Sequence, residues 1–534
     1  MNSASSPRVF FLSPYIKASR CAKAWPSGLF YFVVVAAVFV LSTTVGATTV
    51  NWVPTGTGSW NNGANWSSNP SLPGSSDEAT FTNTLAGTGN AITLDATSQT
   101  VGGVNVAAGT GGKGIDIQAG SPAGTLILTS TDSSGSTVAL TATSGLLVID
   151  APIQLGNGSS GSFTATFNNT TNTSSSFLVN NTLTAASGQT WGVNITGGGS
   201  SNELVTFETV AKAYNGDTTI QSGGQLRVLN TDNLLPHGAG AGNVIINSGG
   251  TLNLNVASLQ INGLSGGGAI TKTTSNSKTL TVGDNNANGN YTGTISMSGG
   301  SGNAVTKIGS GTQVFGGTIT TNNFNVNVGT AQLNSTLTAT AVTVAANAIL
   351  GGTGTATLTG AFNVNGTIAP GDSPGVLNVS SLTAPFSSTG GLSIEIAGNT
   401  PGNTSSNYDQ LNFTNASGSV ALNSSSVLGL SVINGFVPSP SDVYYIMSRA
   451  DSGAFSTLFN GTSEGGTVNI GGGYTGQITY LANWTGTQGG SSLTGGNDVA
   501  IYNVQPVPEP ASVVLLAISG LTLLGGYRRR AVRG

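Results

Sequence analysis

Two serines stand where a hydrolase nucleophile would be read, in Gly263-Leu-Ser265-Gly-Gly267 and Gly371-Asp-Ser373-Pro-Gly375. In such an elbow the N–H after the serine donates to the oxyanion, and Pro374 has none to give. Ser265 would need an imidazole base. The chain has one histidine, His237, which lies upstream of Ser265 against the usual order. Flanked by Pro236 and Gly238, it reads as an exposed turn residue. Asp284-Asn-Asn286-Ala-Asn288-Gly289 opens like a calcium loop, yet Ile295 stands where the closing glutamate belongs, so a polar turn is expected. The one Gly-Lys pair, Gly112-Lys113, is followed by Gly114, so there is no phosphate-binding loop. The carboxylates Asp77-Glu78, Glu203 with Glu208, and Asp498 are candidates for paired acid chemistry. Neighbours on a strand face opposite ways, which separates Asp77 from Glu78. Surface solvation is the expected role of these acids.

The elements that must carry these residues are strands. The 534 residues include 80 glycines, 38% are hydrophobic and only 6% are charged, against an ordinary charged share of about 25%. Mean hydropathy is +0.13, so the chain can bury a core while Gly, Asn, Ser and Thr supply its polar surface. Of 15 basic residues, eight sit in the two ends, which leaves seven against all 19 acids, a net of about −12 for the middle. That balance excludes phosphate backbones, and hence nucleic acid, as a partner. Cys21 is the only cysteine and lies ahead of the first apolar run. Without it the mature chain has no disulfide, thiolate metal site or cysteine nucleophile, and no cofactor is expected.

From Thr48 onward, short alternating apolar runs stop at Gly, Asn or Asp. Asn243-Val-Ile-Ile-Asn247, Thr251-Leu-Asn-Leu-Asn-Val256 and Ala361-Phe-Asn-Val-Asn365 are examples. Ile220-Gln-Ser-Gly-Gly-Gln-Leu226-Arg-Val228 recurs 26 residues on as Ile246-Asn-Ser-Gly-Gly-Thr-Leu252-Asn-Leu254, with a looser copy at Val328–Leu333. A period in the twenties predicts an all-β, right-handed parallel β-solenoid over residues 48–385. Leu226 and Leu252 would lie in its core, in about 13 coils stacked some 4.8 Å apart. Residues 386–505 are richer in tyrosine and read as a C-terminal β domain or cap, because an open last coil would expose an edge. Trp52, Trp60 and Trp66 are expected to plug the first coil. Exposed Trp or Tyr rings would instead suit sugar stacking.

The ends carry address labels. Basic residues precede the apolar run Leu29 to Leu41, and Val45-Gly46-Ala47 follows, the arrangement of a signal peptide over residues 1–47 cut after Ala47. Residues 506–534 hold Pro508-Glu509-Pro510, an apolar segment 511–527 long enough for one transmembrane helix, and Arg528-Arg529-Arg530. That tail resembles the PEP-CTERM sorting signal of bacteria. The resemblance implies passage through the secretion machinery, processing near the triplet by a membrane-embedded exosortase, and delivery to the cell surface or an extracellular polysaccharide matrix. Lys307-Ile-Gly-Ser-Gly-Thr-Gln-Val-Phe-Gly-Gly317, Tyr214-Asn-Gly-Asp-Thr-Thr-Ile220 with Ser222-Gly223-Gly224, and Gly366-Thr-Ile-Ala-Pro-Gly-Asp-Ser-Pro-Gly375 resemble the autotransporter-associated β-strand repeat family. This second resemblance implies parallel β-helix stalks on a bacterial surface, although no translocator barrel follows the repeats. The expected function is therefore a non-enzymatic exported surface or extracellular-matrix protein, a scaffold or adhesin. It would be held by its C-terminal helix before processing, with extracellular polysaccharide as a further candidate partner. The alternatives are a polysaccharide-active β-helix enzyme and a carbohydrate-binding protein. A groove with two or three close acids and a basic partner would favour the enzyme, and rings lying flat on the surface would favour the binder.

Overall fold

Alternating apolar and polar residues put one side of each strand in a dry interior and the other in water. The computed structural model describes residues 48–507 apart from 83–89, 96, 108–113, 130–136, 159, 171–176, 381–385, 415–419, 451–452, 454 and 456. The described chain is all-β, with long parallel sheets of the kind a β-solenoid makes. The first face is a parallel ladder of 16 strands, from Thr48–Asn51 to Val427–Val432. A second face starts at Gly58–Ser59, and its pairings run strand to strand as an open ladder as far as Thr467–Gly471. A third face has two pieces. One has four strands between Gln99–Val101 and Leu183–Ala185, and the other has eight between Ser258–Ile261 and Val420–Leu422.

The repeat read from the sequence is the register of the stack. Ile220 pairs with Ile246 on the first face, and Leu226 with Leu252 and Val228 with Leu254 on the second. All six side chains are buried. The Gly-Gly turns between the faces are explained by both glycines. Gly223 and Gly249 have φ of +78° and +83°. A Cβ on Gly224 would come within 2.3 Å of the Ile195 carbonyl oxygen of the coil below. The looser copy occupies a different corner, because Gly329–Leu333 lies on the first face, where Leu333 pairs with Phe315. Nor is 26 a general period. Thr312 pairs with Thr330, 18 residues on, and Gly103 with Ala139, 36 residues on. Corners absorb the difference while the strands stay in register.

Between the two pieces of the third face no strand forms, and the irregular chain still keeps the stack. Ala213 donates to Leu183 O at 2.8 Å, Lys212 to Leu234 O at 2.9 Å and Asn233 to Ser258 O at 3.1 Å. Lys212 is 3% exposed, and its ammonium donates to the carbonyls of Asn181, Glu208 and Val210 at 2.7–3.1 Å. It thereby satisfies acceptors that a neighbouring strand would otherwise serve. Burial pushes its pKa down to about 7, against the pull of Glu208.

Both ends of the stack are covered. The outer edge of Thr48–Asn51 is met by residues 65–67, with Ser67 N–H donating to Asn51 O at 2.8 Å and Val53 N–H to Asn65 O at 2.8 Å. Trp66 lies 5.0 Å from Trp52 and 4.8 Å from Trp60, ring centre to ring centre, and all three are buried beside Phe81. At the other end the parallel ladders run on through 391–396, 410–414 and 427–432. Pairing turns antiparallel where Tyr444–Arg449 meets Asp498–Pro506, which continues to Tyr474–Ala482 and Thr467–Gly471. Among the described residues no helix is long and apolar enough to cross a membrane. The expected signal segment and the 511–527 helix lie outside the described residues.

Candidate functional site

The expected processing residues Ala47, Pro508, Glu509, Pro510, Arg528, Arg529 and Arg530 lie outside the described residues. The chemical candidates within them are each drawn into the stack. Ser265 sits in the strand Leu264–Gly266 of the first face rather than on a strand-to-helix elbow, and its hydroxyl accepts the Asn290 N–H at 3.3 Å. His237 is half-buried, and its Nδ1 lies 2.8 Å from Asp284 Oδ2. This corrects the reading of an exposed turn residue. Burial pushes the Asp284 carboxyl up, but the bonds from His237 and Gln260 outweigh it and the pKa falls below the ordinary value.

The loop resembling a calcium site ties coils together. Asn286 Oδ1 accepts Ser310 N–H and Asn288 Oδ1 accepts Thr312 N–H, both at 2.8 Å. Asn285 donates to Asn243 Oδ1 at 3.0 Å. These side chains reach to neighbouring coils instead of converging, and no group of three His, Cys, Asp or Glu among the described residues could hold a metal ion. The acids named from sequence also bind backbone or neighbouring amides. Asp77 accepts Gly74 N–H, Glu203 accepts Ser200 N–H, and Glu78 takes Thr80 Oγ1 and Asn105 Nδ2. Glu208 accepts Asn230 Nδ2. Asp498 is 3% exposed and accepts the N–H of Arg449 and of Trp484, each at 2.6 Å.

One cleft brings together acids that sequence spacing did not. Of about 210 Å³, it is lined by Asp372, Glu395 and Asp409 with Ser373, Gln332 and Ile349 among others. It forms where the Pro-Gly turn leaves the first face. Gly371 and Ser373 have φ of +93° and +73°, and Gly371 is bonded both ways to Gly352 at 2.8 and 3.0 Å. Asp409 fastens this turn to the next coil. Its Oδ1 accepts Gly375 N–H at 2.6 Å and its Oδ2 accepts Glu395 N–H at 2.8 Å. The residue is 1% exposed. Burial pushes its pKa up to about 7 against those two bonds, and the Glu395 charge adds to the rise. Asp372 accepts Asn334 Nδ2 at 2.9 Å. Among the described residues no Lys, Arg or His lines the cleft, whereas the enzyme reading expects a basic partner beside the acids. With both oxygens committed, Asp409 positions a turn. The Tyr408-Asp409-Gln410 triplet offered no motif by which sequence reasoning could have found it.

The aromatic residues are mostly core. Trp52, Trp60, Trp66, Trp191, Tyr214, Tyr291, Tyr408 and Tyr444 are buried. Trp484 is half-buried, with its ring 4.8 Å from that of Tyr445. Polar columns cover much of the outside instead. Along the first face Asn51, Thr80, Asn105, Thr141, Asn168 and Thr196 share one register position on successive coils, and Thr196 Oγ1 donates to Asn168 Oδ1 at 2.9 Å. Compared with known protein families and with curated proteins, the chain matches none.

Proposed function

We propose that this chain is a non-enzymatic exported surface or extracellular-matrix protein, a scaffold or adhesin. On this reading it is a right-handed parallel β-solenoid, the hand that parallel crossovers favour, ending in a C-terminal β domain over 386–505. Residues up to Ala47 export it, and the PEP-CTERM-like tail 506–534 sorts it through an exosortase. The observation that carries the reading is the use made of the acids. Glu203, Asp409 and Asp498, all buried, accept backbone N–H bonds, and among the described residues the cleft that gathers three acids is lined by no cation. A scaffold needs its acids to fasten turns and, as Asp409 does, to tie one coil to the next, whereas a glycosidase needs its carboxyls free at a set separation.

The test is mass spectrometry of the protein recovered from its native cells. Cuts after Ala47 and near Pro508-Glu509-Pro510 are expected. Replacing all three triplet residues by Ala should leave an uncleaved form held in the membrane, and normal processing of that variant would overturn the sorting assignment. The polysaccharide-active alternative draws only on the cleft. It requires that Asp372→Asn or Glu395→Gln abolish a measurable cleavage of neutral or acidic polysaccharide, and the scaffold reading expects no cleavage to lose.

A further inference from the structure

The second face carries a regular array of hydroxyl groups. Thr271, Ser296, Thr320, Thr338, Thr357, Ser380 and Thr414 occupy one register position on seven successive coils. On four of these coils a second hydroxyl stands two residues earlier, so that Thr294-Ile-Ser296, Thr318-Ile-Thr320, Thr336-Leu-Thr338 and Thr355-Ala-Thr357 lie one above another. The middle residues Ile295, Ile319, Leu337 and Ala356 are buried. They lock the register, because a slip by one residue would turn the apolar row outward. Thr294, Ser296, Thr318, Thr336 and Thr338 are exposed. The hydroxyls of Thr318, Thr320, Thr336 and Thr338 take no bond from a described residue. No charged or aromatic side chain interrupts 294–298, 318–322, 336–340 or 355–359.

We propose that this face binds crystalline water. Neighbouring coils set the hydroxyls of a column about 4.7–4.9 Å apart. Two oxygens that share one tetrahedrally bonded water, with O–H···O distances of about 2.75 Å, stand roughly 4.5 Å apart. A single water can therefore bridge each rung from Thr271 to Thr357, about 19 Å of stack, while at the next rung Thr357 Oγ1 and Ser380 Oγ bond each other directly at 3.0 Å. A hydroxyl both donates and accepts, so it fits either orientation of a lattice water. Threonine also has a stiff χ1, which holds each hydroxyl in place before the ligand arrives. A neutral, rigid, repeating surface suits an uncharged, rigid, repeating ligand. Sugar chains are the other neutral repeat, but their rings are usually met by Trp or Tyr faces, and the segments 294–298, 318–322, 336–340 and 355–359 have neither.

The experiment measures freezing hysteresis and inhibition of ice recrystallisation by the purified protein. Three forms are compared: wild type, the double variant Thr320→Lys with Thr338→Lys, and the control Thr219→Lys on the first face. All replaced side chains point outward, and a melting curve checks that each variant keeps its fold. Wild type and control should shape and restrain ice. The double variant should need a roughly tenfold higher concentration or more, equivalent to about 1.4 kcal/mol of adsorption energy. Absence of any ice activity in the wild type, or an unchanged double variant, overturns the proposal. So does co-sedimentation with crystalline cellulose or chitin that the double variant loses while ice activity stays the same, a result that would assign the face to polysaccharide.

Discussion

Leu252→Ala tests whether the leucines of successive coils form one dry column. Leu252 is fully buried, with Leu226 on one side and Ile270 on the other. The change deletes three carbons, a transfer loss of about 2.4 kcal/mol. The hole left behind adds to this, because the strands on both sides are held by ladder bonds and cannot close in. Core Leu→Ala changes run from about 2.7 to 5.0 kcal/mol, and poor collapse places this one near 4 kcal/mol. Coils touch only their neighbours, so the loss should be local. Hydrogen exchange followed by mass spectrometry is the direct assay. Amides of 218–229, 244–255 and 264–271 should exchange faster, while those of 341–358 keep their protection. Leu252→Asp should do more harm, since it buries a charge with no partner. Unchanged protection in the three flanking coils, with an unchanged melting curve for Leu252→Asp, would refute the stacked core.

Three further outcomes follow from the geometry. Burial raises the folded pKa of Asp409 from the ordinary carboxylate range to about 7. The folded state therefore holds the proton longer, and this group's contribution to stability falls as pH rises from about 4 to about 7; the difference in melting point between pH 4 and pH 8 should shrink in Asp409→Asn. Lys212→Met leaves the carbonyls of Asn181, Glu208 and Val210 without their donor and should cost about 1–3 kcal/mol, read as a lowered denaturant midpoint; an equal midpoint would show that the ammonium is not needed there. Trp66→Ala removes the ring packed between Trp52 and Trp60 and should cost about 3–5 kcal/mol, seen as early exchange and proteolysis confined to the first coils.

Local chemistry determined a good deal by itself. Alternation, Gly-Gly turns and the 26-residue echo were enough to place Ile220 on Ile246 and Leu226 on Leu252, because strand period and turn geometry are local and a buried face tolerates only one register. The buried tryptophan plug was legible for a similar reason, since three large apolar rings within 15 residues at the head of the stack have one dry place to go. Coil length was not legible. Corner segments carry no fixed residue count, so the coils range from 18 to 36 residues and the copy at Val328–Leu333 falls on another face. Only the tertiary stack could decide what meets across coils. It brought Asp372 and Glu395 to one cleft with Asp409, and it aligned Thr320, Thr338 and Thr357 into a column. Contacts between coils depend on the sum of every corner in between, and no local pattern records that sum.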